Sequence, residues 1–165
     1  MIFVAIAAIV ILFFLLRAAI VIVPNDHAYI TERMGVYSAT LPPGFHVIMP
    51  LLDTIRFKHV MSEQTAELSD VIETQDRQRA SLTSAYRYRI LDPQRASYGS
   101  VDYANFLKEV VRTSQKRYVA GQTWDALRQD TRALEAEVQR GVDEASETIG
   151  VKLLEYTVRD LQLQG

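Results

Sequence analysis

The sequence predicts an α+β domain with packed helices on a mixed or antiparallel sheet, held behind an N-terminal transmembrane helix. Three observations carry this. Residues Ile2–Leu16 are fifteen apolar residues in a row, and after Arg17 the run AAIVIV continues to Val23. Beyond Pro24, segments with a two-residue period precede two with a helical period. After Gly150 the chain returns to strand character, and strands followed by helices and a closing strand mark an α+β layout.

The leader is set apart by charge. The chain has 165 residues, 18 basic and 20 acidic, and a net charge of −2. Arg17 is the only charged side chain before Pro24. Read as one helix, residues 2–23 would reach roughly 33 Å, enough to cross a hydrocarbon core of about 30 Å. A cleaved signal peptide would need a basic segment ahead of the apolar run, and only Met1 precedes it. A buried core helix would be long for a domain this small, and this one lacks any amphipathic face. Arg17 then lies near one interface, where its stem can snorkel to the headgroups. Arg17, Arg33, Arg56 and Lys58 all lie on the C-terminal side, so the positive-inside rule puts residues 24–165 in the cytoplasm of a single-pass protein of the inner or plasma membrane.

In the soluble part, HAYITERMGVYS partly alternates around Gly35, giving two short strands. Pro43-Gly44 is a turn signal. The stretch after it, FHVIMPLL, is very apolar, yet Pro50 cannot sit inside a central strand. Two readings fit it: a buried strand and loop, or partial immersion of Phe45, Ile48, Met49, Leu51 and Leu52 in the membrane face. Residues 54–60 alternate, with Ile55, Phe57 and His59 on one face. Residues 80–90 alternate more clearly, with Ala80, Leu82, Ser84, Tyr86, Tyr88 and Ile90 together. Asp92-Pro93 breaks the strand. From Tyr103, apolar positions at Phe106, Leu107, Val110 and Val111 define a helix with Asp102 or Ser100 as its cap, ended by Gly121. TWDALRQD reads as a short helical turn capped by Thr123. A second helix from about Thr131 carries Leu134, Val138, Val142, Ala145 and Ile149 and stops at Gly150. The alternation of the last strand changes phase between Leu153 and Leu154, which predicts a bulge.

The same sequence offers little chemistry. With no Cys, disulfide frameworks, zinc ribbons, Fe–S sites and thiol nucleophiles are excluded. His27, His46 and His59 form no metal-ligand spacing, and no phosphate-binding glycine loop or nucleophile motif occurs. No catalytic, metal or cofactor residue is expected. The carboxylates Glu73 with Asp76, and Asp143 with Glu144, read as solvated faces. Tyr86 and Tyr88 alternate with Arg87 and Arg89, but the acidic total argues for sheet packing over nucleic-acid stacking. Trp124 reads as an anchor for the turn between helices.

A chain of short motifs then carries a resemblance. Glu32, Arg33, Gly35 and Tyr37, with Pro43, Gly44, His46, Pro50 and Asp53 after them, resemble the opening of the SPFH (band 7) family of stomatin-, prohibitin- and flotillin-like proteins. The closest likeness is to bacterial stomatin-like (QmcA-like) members. Glu63-Gln64, the VIETQDRQRASLTSAYRYRI pair and the Asp92, Pro93, Ala96, Tyr98 set resemble the later motifs of that family, and Arg159-Asp160 resembles its closing strand. At Arg117-Tyr118 the sequence departs from the small residue common after that Arg. The resemblance implies an anchor over 1–23, an SPFH domain over 24–161 (a membrane-proximal part 24–65 and a second part 66–161), and the start of a C-terminal coiled-coil helix at 162–165. It also implies a large homo-oligomeric ring or cage that contacts lipids, organises a membrane microdomain and modulates membrane proteins, including an AAA+ membrane protease. The alternative is a regulatory subunit that binds one client protease or channel. Neither reading makes the protein an enzyme or a nucleic-acid binder.

Overall fold

The computed structural model describes residues 1–99 and 102–164. The chain forms two compact units, Met1–Met61 and Ser62–Gly165.

The first unit opens with α1 (Ile2–Ala19), none of whose residues is buried. It passes directly into β1 (Ile20–Val23), so the helix stops short of the Val23 limit read from the apolar run. The cause is local. Ile20, Val21, Ile22 and Val23 are four successive β-branched residues, and Pro24 disfavours helical dihedrals at Val23. An extended partner is at hand in β4 (Gly44–Val47), which pairs antiparallel with β1 through Ile20↔Val47 and Ile22↔Phe45. The 18 residues of α1 reach about 27 Å and remain long and apolar enough to cross a membrane.

A three-stranded antiparallel sheet completes this unit in the order β3-β2-β5, built from β2 (His27–Arg33), β3 (Val36–Leu41) and β5 (Asp53–Val60). Gly35, at φ +83°, turns the β2–β3 hairpin as its position between two short strands predicts. Ile30 is fully buried, and Val21, Val23 and Leu41 pack with Tyr29, Ala39, Ile48 and Ile55. Each such aliphatic side chain contributes roughly 1.5–3 kcal/mol when fully withdrawn from water.

The second unit is an antiparallel sheet β6-β7-β8 with helices on one face. Its strands are β6 (Gln64–Glu73), β7 (Arg79–Ile90) and β8 (Val151–Leu163). The face predicted for β7, from Ala80 to Ile90, is buried at every position. Against the sheet lie α3 (Tyr103–Val119), through Leu107, Val111 and Val119, and α5 (Thr131–Ser146), through Leu134, Val138 and Val142. Asp102 caps α3 through the Ala104 and Asn105 N–H groups; Ser100, the other candidate cap, lies outside the described residues. Two short helices complete the unit: α2 (Pro93–Tyr98), capped by Asp92, and α4 (Trp124–Gln129), capped by Thr123.

Leu154 bulges where the phase change predicts it, since Arg87 faces Glu155 while Tyr88 faces Leu153. A second bulge falls between Thr83 and Ser84. Gln162 and Leu163 pair with Ser81 and Ala80, so β8 continues past residue 161, and 162–163 are strand where a helix start was expected. The pairing with β7 supplies these residues with ladder hydrogen bonds that a helix start there would forgo.

Asp70 stands on the inward-facing side of β6, which hides the alternation of that strand in the sequence. Its carboxylate is paired with Arg112 at 2.8 Å and Lys116 at 3.3 Å, both on α3. Gln115 is also buried, donating to Ser84 Oγ at 2.8 Å and to the Tyr156 hydroxyl at 2.7 Å, which ties α3 to β7 and β8. On the solvent face Arg87 bridges Glu63, just ahead of β6, and Glu155 on β8; exposed pairs of this kind contribute at most about 1 kcal/mol each.

Candidate membrane-contacting site

The segment Phe45–Asp53 joins β4 to β5, and most of the N–H groups in its irregular part are engaged. Ile48 N–H donates to the Ala19 carbonyl at 2.8 Å, which fastens the segment to the end of α1. Leu52 and Asp53 N–H both donate to the Met49 carbonyl, at 2.9 and 2.7 Å. Met49 N–H donates to Asp53 Oδ2 at 2.9 Å, and the Leu52 carbonyl accepts from Met34 N–H at 3.3 Å. Pro50 has no N–H to satisfy. Such closure is what an irregular segment needs where water is scarce.

The side chains turn the other way. Phe45 is 64% exposed, Met49 53%, Leu51 83% and Leu52 40%, while Ile48 alone packs inward against Val21, Val23 and Leu41. Within the chain, the buried-strand reading therefore fails for all but Ile48. Five exposed apolar residues that sequence reasoning missed extend this surface. The cross-strand pairs Ile20–Val47 and Ile22–Phe45 put all four side chains on the outer face of the β1–β4 ribbon, and Met34 and Val36 project from the β2–β3 tip beside Leu52. Ile20 and Ile22 were hidden because they read as more of the helix; the run of four β-branched residues ahead of Pro24 was the available signal.

Asp53 is the hub. Its side chain accepts from Arg33 Nε at 2.7 Å and Nη2 at 3.1 Å, besides Met49 N–H. Arg33 and Asp53 are directly opposite on β2 and β5, so two motif residues twenty positions apart form one bidentate clamp. The Arg33 hydrogen bonds, then that of Met49, hold the Asp53 carboxyl below its ordinary value, and the same pair raises the Arg33 guanidinium. A depressed carboxylate value means the clamp is intact at neutral pH and is lost only as pH falls through that lowered value. A nitroxide at Leu52→Cys should stay immobile down to the ordinary carboxylate range near about pH 3.9 and loosen only below it. Adding Asp53→Asn should loosen it at neutral pH and abolish the pH response; a label that stays equally ordered after that substitution would contradict the clamp.

The remaining candidates have structural partners. His46 Nε2 bonds the Pro42 carbonyl at 2.7 Å, and His27 Nδ1 that of Asn25 at 3.0 Å. His59 is buried, and burial pushes its imidazole value down. Asp76 accepts from Thr74 Oγ1 and from Trp124 N–H, pinning the β6–β7 turn to the start of α4. Glu73 ends β6, and Asp143 accepts from the Gln139 amide within α5. Among the described residues no group of three or more His, Asp or Glu is placed to hold a metal. Arg17 sits exposed in the last turn of α1, where a cation complements the helix dipole.

Fold and site together define an α+β protein whose leading helix can cross a membrane and whose first sheets carry an exposed apolar rim. The family model described as SPFH domain / Band 7 family matches residues 21–164, and the chain belongs to that family. It is 26% identical over 150 residues to human "Stomatin-like protein 2, mitochondrial", covering 89% of this chain and 42% of that protein. It is 27% identical over 142 residues to "Stomatin-like protein stl-1" of Caenorhabditis elegans, covering 86% of this chain and 44% of that one. An uncharacterized Schizosaccharomyces pombe protein is 27% identical over 141 residues, covering 85% and 40%. The chain thus spans about two fifths of the length of the curated relatives it matches.

Proposed function

We propose that this chain is a non-enzymatic, membrane-anchored scaffold subunit that assembles into a ring or cage and organises a patch of membrane. The observation that carries the reading is the Phe45–Leu52 segment: apolar outward, closed on its own backbone, and bonded to the end of a helix of membrane length. Phe45, Met49, Leu51 and Leu52 seat in one leaflet, Ile48 holds the segment to the core, and Arg17 meets the headgroups. Membership of the SPFH family supports the scaffold role. The flanking cations support a cytoplasmic location for residues 24–165 at the cell membrane.

Assembly into a ring is heterologous, so one surface of each subunit meets a different surface of the next. Such a ring delimits a bilayer patch and modulates the membrane proteins inside it, an AAA+ protease or a channel among them. Among the described residues no nucleophile–base pair can be named that would support catalysis. The test is sedimentation of the protein extracted in mild detergent with no partner added. A large homo-oligomer is expected, and a monomer or dimer that enlarges only when a client is supplied would replace the scaffold by a client-binding subunit.

A further inference from the structure

A groove separates α1 from the Ile48–Leu52 loop. Leu15, Leu16 and Ala19 form one wall, and Ile48–Leu52 the other. Its volume is about 460 Å³, within the range of small-molecule sites of about 300–1,000 Å³. No charged or hydrogen-bonding side chain lines it, and the loop's N–H groups at Ile48, Met49 and Leu52 are already engaged. An occupant gains nothing from polarity here. The walls are also fixed, because the Ile48–Ala19 hydrogen bond joins them and the Arg33–Asp53 clamp holds the loop.

We propose that this groove binds one acyl chain of a membrane glycerolipid; the inference rests on the membrane-anchored reading above. Ala19 is the last residue of α1 and Leu15 lies one turn earlier, so the groove sits at the end of the membrane-length helix, where acyl chains are the abundant apolar partner. At 100° per residue Arg17 lies well round the helix from Leu15 and Ala19, so the groove holds the lipid tail without help from that cation. Ala19 is the small residue that leaves the space.

The test uses the full chain reconstituted in dioleoylphosphatidylcholine vesicles, re-extracted in mild detergent and weighed by native mass spectrometry. One phospholipid retained per chain is expected. Ala19→Phe fills the groove with apolar atoms and should cut that retention at least tenfold, while co-sedimentation with vesicles stays unchanged; Leu16→Phe should do the same from the same wall. Retention undiminished in both variants would overturn the groove. So would a wild-type chain that sediments with vesicles yet carries no lipid, or carries a second copy in place of lipid. Failure of the wild-type chain to sediment with vesicles at all would overturn the anchor, and the groove with it.

Discussion

Replacing Met49 and Leu51 with Asp is expected to lift the loop out of the bilayer while the chain stays folded. Both side chains are more than half exposed and neither belongs to the buried cluster around Val21, Val23 and Leu41, so the substitutions remove nothing from that core. A carboxylate costs up to about 3 kcal/mol at the bilayer centre and less toward the interface. At roughly 1.4 kcal/mol each, two would shift the immersed population by on the order of 100-fold. The absence of Cys lets a single nitroxide at Leu52→Cys report depth, through its accessibility to oxygen against a water-soluble nickel chelate. Oxygen should dominate in the parent, and the nickel chelate should take over in the double variant. Equal accessibility in both would show that the loop does not touch lipid.

The second large effect is at Gly150. Its φ is +66°, and a Cβ there would lie 2.7 Å from the Asp92 carbonyl oxygen and 2.8 Å from Cβ atoms of both Asp92 and Arg95. The close approach is needed because the Gly150 carbonyl accepts from Leu91 and Asp92 N–H, at 2.8 and 3.0 Å, where β7 gives way to α2. Gly150→Ala combines a left-handed backbone cost of about 1–2 kcal/mol with overpacking of about 1–3 kcal/mol. Urea denaturation should show a loss on the order of 2–5 kcal/mol. A change below about 0.5 kcal/mol, the ordinary surface range, would mean that this corner yields freely.

Local rules made much of this molecule legible. The helical period gave α3 and α5, Thr123 and Asp102 gave caps, and the phase change gave the Leu154 bulge, because each depends on residues within a few positions. Gly150 does follow the last helix, though a single 3-10 turn, Glu147–Ile149, intervenes. What stayed hidden depends on distant partners. Ile20–Val23 becomes strand because Gly44–Val47 lies alongside, a partner that the β-branched run itself does not name. Asp70 interrupts the inward face of β6, and its counter-charges, Arg112 and Lys116, lie about forty residues on.

The candidate site divides in the same way. Its apolar residues could be read from FHVIMPLL alone. Their outward direction could not, because it depends on the ribbon pairing and on the closed backbone of the loop. The resemblance placed Arg33 and Asp53 in motifs; the cross-strand register makes them one device.

Negative-stain imaging of the full-length protein purified in mild detergent tests the central claim most directly. A closed ring or cage of tens of subunits is the expected result, with an apolar rim on the side that carries α1. A monodisperse monomer or dimer, folded and still anchored, would contradict the scaffold and direct the search to a single client bound by this chain.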